Sequence, residues 1–370
     1  LKPSKEQAAT LESWRVACQQ LYNGALQERR DAWKRAKVSI GYNDQTKSLT
    51  ELRKADAEWQ AVPALVARSA LARIDRAFSA FFRRVKTGDK PGFPRFKSRA
   101  QYGSIGIGNA TIKDSKVNVP KLGPVPFFEY RALRGTVKNV ELRKEPDGWF
   151  VCIQSDLGPA PAKAEPLTET GIDLGLTSLA VLSTGEAVAN PRHLANAQDR
   201  IARLSRDLAR KQRGSVRRHK ARAKLARAHQ HVANCRKDFA RKLACDLFSR
   251  FDLVAHENLN VKGLAGSVLA RPIHDAAWTQ ILRCLSDKAE SAGRHLVGVD
   301  PRGTTIECSG CGNPVPKLLS ERMHVCTVCG LVLERDHNAA INVLNRVPAG
   351  LRVHARGGRP ASCEASSLIY

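Results

Sequence analysis

The strongest constraint on this chain lies near its end, where two Cys-x-x-Cys pairs run into an acidic helix start. Cys308-Ser-Gly-Cys311 is followed, after fourteen residues, by Cys326-Thr-Val-Cys329. Two knuckles at this separation can set four thiolates tetrahedrally around one Zn²⁺, with a loop slightly shorter than in most zinc ribbons. Four thiolates close the coordination sphere, so such a site is structural and leaves no open position for catalysis. Gly310, Gly312 and Gly330 fall where tight knuckle turns need backbone freedom. Beyond the last thiolate, Arg335-Asp336-His337-Asn338-Ala339-Ala340-Ile341-Asn342 opens a helix. Asp336 or Asn338 is placed to cap it, and Ala340, Val343, Leu344 and Val347 form its apolar face.

The formal charge of +26 goes beyond what solubility requires and implies a polyanionic partner. Nucleic acid is favoured over a membrane, because no apolar run approaches the roughly eighteen residues of a spanning helix. No signal-peptide pattern is present, and the chain opens at Leu1 without methionine, which leaves its true start open. Outside the two knuckles, Cys18, Cys152, Cys235, Cys245, Cys284 and Cys363 are scattered singly. That usage fits a reducing cytosol and not a disulfide scaffold.

Leu11, Trp14, Cys18, Leu21 and Ala25 follow helical spacing, and a longer helix is predicted from about Ala64 to Val85. Its apolar stripe is Leu71, Ile74, Phe78, Phe81 and Val85, with Arg73, Arg76, Arg83 and Arg84 off the stripe as a basic outer face. Lys90-Pro-Gly-Phe-Pro-Arg-Phe-Lys-Ser-Arg99 interleaves two aromatics with basic residues that include Arg95, Lys97 and Arg99. This composition suits base stacking with phosphate neutralisation, and equally an ordered linker. From Thr111 to Asp156 the period becomes two, with a hairpin turning at Pro146-Asp-Gly148; prolines 159, 161 and 166 mark a linker.

Gly171-Ile-Asp173-Leu-Gly175 is a buried strand carrying a lone carboxylate, which costs several kcal/mol unless paired or bound to a cation. Residues 201–230 hold eleven Lys or Arg and one Asp, on two helices interrupted at Gly214-Ser215. Their like charges repel at each turn, so a phosphate backbone is expected beside Arg213, Arg217, Arg218 and Lys220. Phe251-Asp-Leu-Val-Ala-His-Glu257 is a further apolar strand ending in a carboxylate, and 348–370 loses all periodicity, as a disordered tail would. Asp173, Glu257 and Asp336, if gathered, would stay ionised only around cations, for which a Mg²⁺ pair serving phosphodiester hydrolysis is the common solution.

These pieces together resemble the three RuvC motifs and zinc ribbon of TnpB (OrfB) proteins, transposon-encoded relatives of the type V CRISPR effectors. The similarity extends to Lys2-Pro-Ser-Lys-Glu-Gln7, Phe93 to Arg99 and Asn234-Cys-Arg-Lys-Asp-Phe239. The resemblance implies an α+β multidomain, RNA-guided DNA endonuclease of the bacterial or archaeal cytoplasm, with guide RNA and target double-stranded DNA as partners. It implies a wedge-type β-barrel over 1–4 and 89–165, and a helical recognition domain over 5–88. An RNase H-like RuvC nuclease domain would span 166–303 and 334–347, with the zinc ribbon at 304–333 inserted. Asp173, Glu257 and Asp336 would be the catalytic triad holding two Mg²⁺, and Cys308, Cys311, Cys326 and Cys329 would hold one Zn²⁺. The family usually has a β-strand before the Lys-Pro segment, so the barrel is expected to be incomplete here or the sequence trimmed. A miniature type V effector with the same chemistry, a nuclease-inactive RNA-guided repressor and a DNA-strand transferase remain as alternatives; the intact triad weighs against the second and the nested ribbon against the third.

Overall fold

The computed structural model describes residues 1–108, 110–264, 266, 270–318 and 320–352. It divides into two compact units, Leu1–Gly158 and Pro159–Tyr370. The break falls in the Pro-rich stretch expected to be a linker. No helix among the described residues is long and apolar enough to cross a membrane.

The first unit opens with α1 (Lys5–Ala36), then α2 (Tyr42–Ala55), α3 (Ala57–Ala61) and α4 (Ala64–Lys86). Ser4 starts α1 with a capping box: the Gln7 N–H donates to Ser4 Oγ, and the Ser4 N–H to Gln7 Oε1, both at 3.1 Å. Helices α1 and α4 pack together around Leu11, Trp14, Cys18, Leu71 and Ile74. The stripe on α4 does not stay buried along its length. Val85 is exposed, and Phe78 and Phe81 instead gather Phe93 at 5.6 and 5.4 Å, because the last turns run past the core.

Strands β1 (Ser104–Gly108), β2 (Ile112–Lys113), β3 (Lys116–Val119), β4 (Gly123–Pro126), β5 (Thr136–Glu145) and β6 (Gly148–Asp156) follow. They form two three-stranded antiparallel sheets, β1-β5-β6 and β2-β3-β4, with β5 and β6 joined at the expected turn.

The second unit carries β7 (Glu169–Leu174), β8 (Ser178–Leu182), β9 (Ala187–Ala189), α5 (His193–Ala209), α6 (Val216–Arg250) and β10 (Leu253–Glu257). It continues with α7 (Val261–Leu264), α8 (Ala270–Ala276), α9 (Trp278–Ala292), β11 (His295–Val299), β12 (Met323–Val325), β13 (Val332–Glu334) and α10 (Arg335–Asn345). Gly214 (φ 83°) breaks α5 from α6 where expected, and Ser215 caps α6. The central sheet runs β11-β10-β7-β8-β9, with β7, β10 and β11 parallel and β8 antiparallel to β7. Strand alternation sends Ile172, Leu174 and Val254 into a core with α6 and α9, and Leu253 and Ala255 into a second core with Val343 of α10. Asp173 and Glu257 therefore share the α10 face. Of the tail expected to be disordered, 348–352 forms a short turn at Ala349–Leu351, and Arg352 pairs with Glu169 at 2.8 Å; residues 353–370 lie outside the described residues.

The backbone of α10 lies against β7 at Gly171. A Cβ there would stand 2.2 Å from the Ala340 carbonyl oxygen and 2.8 Å from the Leu344 nitrogen. Neither backbone atom can yield, so Gly171→Ala should cost about 1–3 kcal/mol or more, against the small gain usual for Gly→Ala at an unstrained site. Urea unfolding that left the stability unchanged would remove this contact as the reason for the glycine.

Candidate active site

The register of the parallel pair sets two carboxylates side by side. Ala255 pairs with Gly171 and His256 with Ile172, so the next step along both strands brings Glu257 beside Asp173. The loop that follows Asp173 is held by the Trp278 indole N–H, which donates to the Gly175 carbonyl at 3.3 Å. Asp336 comes from the opposite direction, as the second residue of α10. It does not cap the helix, and neither does Asn338. Glu334 is the N-cap residue, and the Asp336 carboxylate accepts instead from Arg335 Nε at 3.2 Å, with Arg322 at 3.9 Å.

The start of α10 is pinned on two sides. His337 Nε2 lies 3.1 Å from the Ser183 carbonyl oxygen, tying the helix to the turn between β8 and β9. Buried Asn338 donates to the Glu307 carbonyl at 2.8 Å and accepts from the Ser309 N–H at 2.9 Å, tying it to the first knuckle. Sequence reasoning left Arg335 and Asn338 without these roles; their place in the motif beside Asp336 was the available signal.

The neighbouring charges bear on Asp173. Burial, then the negative charges of Glu257 and Asp336, push the Asp173 carboxyl up to about 8 against the pull of Arg335. Glu257 is 7% exposed, and burial raises it too, opposed by a hydrogen bond from the Thr304 hydroxyl. A buried carboxyl whose proton affinity is raised by two neighbouring carboxylates is a setting that a divalent cation would relieve.

The cysteines fit a different metal. Among the described residues theirs is the one group of three or more His, Cys, Asp or Glu whose ligand atoms all lie within 4.8 Å of one another, a closeness that the three carboxylates do not reach. Cys308 and Cys329 sulfurs are 3.6 Å apart, as are those of Cys311 and Cys326, too far for a disulfide and close to the tetrahedral edge of about 3.8 Å around Zn²⁺. The Cys326 thiol is lowered to about 6, chiefly by the backbone N–H of Cys329. Gly312 (φ 75°) and Gly330 (φ 73°) supply the left-handed turns expected of them. Gly310 differs: its φ is not positive, and what it offers is room, since a Cβ would meet Leu331 at 3.3 Å.

The basic residues divide. Arg76, Arg83, Arg84, Arg95, Arg99, Arg213, Arg217 and Lys220 are exposed. Arg73 is not on an outer face: it donates to the Ser104 carbonyl, pairs with Glu141 at 3.1 Å and covers the Tyr102 ring. Arg218 caps the end of α5, donating to the carbonyls of Leu208 and Lys211 at 2.9 and 2.8 Å. The backbone of partly buried Lys97 is clamped by Asn23, while Phe93 and Phe96 remain 47% and 45% exposed.

A sequence profile described as "Probable transposase" matches residues 140–268, and one described as "Cas12f1-like, TNB domain" matches 278–343. A third, described as "Helix-turn-helix domain", matches 1–37, where the structure has the single long helix α1. The chain is 34% identical over 372 residues to a Streptomyces pristinaespiralis protein named "Putative RNA-guided DNA endonuclease", covering 96% of this chain and 89% of that one. It is 28% identical over 396 residues to the similarly named InsQ of Escherichia coli (strain K12), covering 100% of this chain and 96% of the relative. Among solved structures, a chain of a Cas12f1-sgRNA-target DNA complex shares the fold, with a TM-score of 0.59 at 16% identity over 92% of this chain and 83% of that one.

The raised Asp173 carboxyl has a measurable consequence in chelator-treated protein. Its folded pKa lies near 8 and its unfolded value near 3.8, so across that window the folded state holds a proton that the unfolded state has released. Stability should therefore fall as pH rises from about 4 to 8, and Asp173→Asn should be stabilising by an amount that grows over the same range. Thermal unfolding at pH 5 and pH 8.5 checks this, and an equal effect of the substitution at both would refute it.

Proposed function

The chain belongs to the TnpB (OrfB) family of RNA-guided DNA endonucleases, and on that premise we propose that Asp173, Glu257 and Asp336 carry its phosphodiester cleavage. The observation that bears most weight is their arrangement: adjacent parallel strands and a helix start present them on one face of one sheet. The strand order β11-β10-β7-β8-β9, with β8 reversed, supports an RNase H-like RuvC reading of the nuclease domain over 166–303 and 334–347. On the same reading, 5–88 is the recognition domain and 1–4 with 89–165 the wedge, while 304–333 is the inserted ribbon. Guide RNA and target DNA are the polyanions that a charge of +26 requires.

The triad would hold Mg²⁺, which when bound supplies charge stabilisation and an activated water for hydrolysis. The chain's own residues set the stage for it. Gly171 lets α10 approach, Thr304 holds the Glu257 carboxylate, and Arg335 offsets part of the triad's negative charge. Exposed Arg213, Arg217 and Lys220 would contact phosphates, whereas Arg73 and Arg218 would act through the fold. Pairing with the guide, and not side-chain contact, would choose the target sequence.

Zinc would sit on the four thiolates. Purified protein should contain one Zn²⁺ per chain, and Cys308→Ser or Cys329→Ser should lower both zinc content and folded yield. Well-folded protein devoid of zinc by elemental analysis would exclude this assignment.

The chemistry is tested with guide RNA, target DNA and Mg²⁺ on one gel. Wild type should cut, and Asp173→Ala should lose cutting by at least about a thousandfold while keeping guide binding, because it removes a metal ligand and no RNA contact. Ca²⁺ should permit target binding without cleavage, its looser coordination being ill suited to in-line attack. Equal cutting by both proteins would sink the triad, and no cutting by either would favour a nuclease-inactive, RNA-guided DNA-binding protein.

A further inference from the structure

The segment between β11 and the first knuckle touches both halves of the candidate site. It turns at Gly303 (φ 80°), where the N–H groups of Ile306 and Glu307 donate to the Gly303 carbonyl at 2.9 and 2.8 Å. That turn buries Thr304 to 2% exposure and aims its hydroxyl at Glu257 Oε1, with the Pro301 carbonyl at 3.0 Å as a second acceptor.

The turn is held from the far side by α10. Asn338, Asn342 and Arg346 recur every fourth residue and so share one face of the helix. Asn342 donates to the Thr304 and Glu307 carbonyls at 2.8 and 2.7 Å. Arg346 reaches the Asp300 and Arg302 carbonyls at 2.7 and 2.6 Å and pairs with Glu307 at 2.5 Å. Asn338 adds the bonds to Glu307 and Ser309 already described. The helix that presents Asp336 thus grips, through three side chains, the turn that presents Thr304 to Glu257.

We propose that residues 300–307 are a positioning element of the active site, in which the Thr304 hydroxyl fixes the Glu257 carboxylate and α10 fixes Thr304. The inference rests on Glu257 serving as a metal ligand. Among the described residues the Thr304 hydroxyl is the donor that reaches the buried Glu257 carboxylate, and losing it leaves an oxygen unsatisfied and free to turn from the metal. It also couples the ribbon to catalysis, because the first knuckle continues the same clamped segment. A zinc site that is structural in its coordination is therefore not independent of the carboxylates. Thr304 itself touches no reacting atom.

The test uses the full-length, zinc-loaded protein with its guide. Mn²⁺ binding is followed by calorimetric titration beside cleavage rate, target binding, zinc content and melting temperature. Thr304→Val keeps the shape and removes the donor. It should weaken Mn²⁺ binding or slow cleavage by roughly 10–100-fold, with target binding and zinc content unchanged. Thr304→Ser should recover both to within about threefold, since the hydroxyl returns. In a Glu257→Gln background, Thr304→Val should change Mn²⁺ binding no further, as there is no carboxylate left to orient. Thr304→Ala carries the same expectation if the valine variant does not fold. Wild-type Mn²⁺ binding and cleavage in Thr304→Val would overturn the proposal, as would Thr304→Ser failing like Thr304→Val, or full additivity with Glu257→Gln. A wild type that binds Mn²⁺ but cuts no DNA would count against the nuclease reading alone, and the Mn²⁺ titrations would still decide the role of Thr304.

Discussion

Direct backbone contact between α10 and β7 is the constraint on which the second unit depends. A helix and a sheet ordinarily keep their backbones well apart with side chains between them. Here Gly171 removes that layer, and the Ala340 carbonyl occupies the space a Cβ would take. The contact fixes α10 along its axis, since a shift of one residue would bring a different atom against the strand. Asp336, one turn before Ala340, is fixed with it. Small residues continue the close approach, with Ala339 and Ala340 fully buried, while Val343 and Val347 fill the wider part of the interface. Polar residues on the same helix then carry the geometry outward to the first knuckle.

The site so assembled is electrostatically unfavourable by itself. Asp173 and Glu257 lie on adjacent strands in a partly desolvated setting, where like charges interact more strongly than in water. Arg335 offsets part of this, and the Thr304 donor steadies Glu257. The remaining conflict is held by hydrophobic packing on both faces of the sheet, from α6 and α9 on one side and α10 on the other. A conflict of this kind, retained in a packed fold, is what distinguishes a candidate site from ordinary core.

Much of the local structure was legible in the chain. The break at Gly214-Ser215, the hairpin at Pro146-Asp147 and the Asp173 and Glu257 strands follow from turn chemistry and periodicity, which act over a few residues. Side-chain roles were less legible. Arg73 and Arg218 read as surface charge from their spacing, yet one closes on Glu141 and the other on the last carbonyls of α5. Asp336 had the sequence position of a cap, but the chain enters α10 through an extended Glu334 with no side-chain cap bond. Val85 continued an apolar stripe that outran the core it was assumed to face. Arg73 finds its partner 68 residues away, while Arg218 and Asp336 meet neighbours that spacing alone does not single out.

The sequence by itself determined which residues could do chemistry: four thiolates at knuckle spacing, three carboxylates beside apolar strands and a helix start, and a large positive charge. Those are properties of residue type and short-range spacing, and they survive without a fold. Only the tertiary structure decided that the carboxylates share one face of the sheet, that Gly171 lets α10 lie against it, and that Thr304 and Asn342 tie the root of the first knuckle to Glu257 and α10. The Thr304–Glu257 bond joins residues 47 positions apart, and Gly171 lies far from Ala340 along the chain. Such contacts are set by strand register and helix packing, which no local pattern of residues encodes.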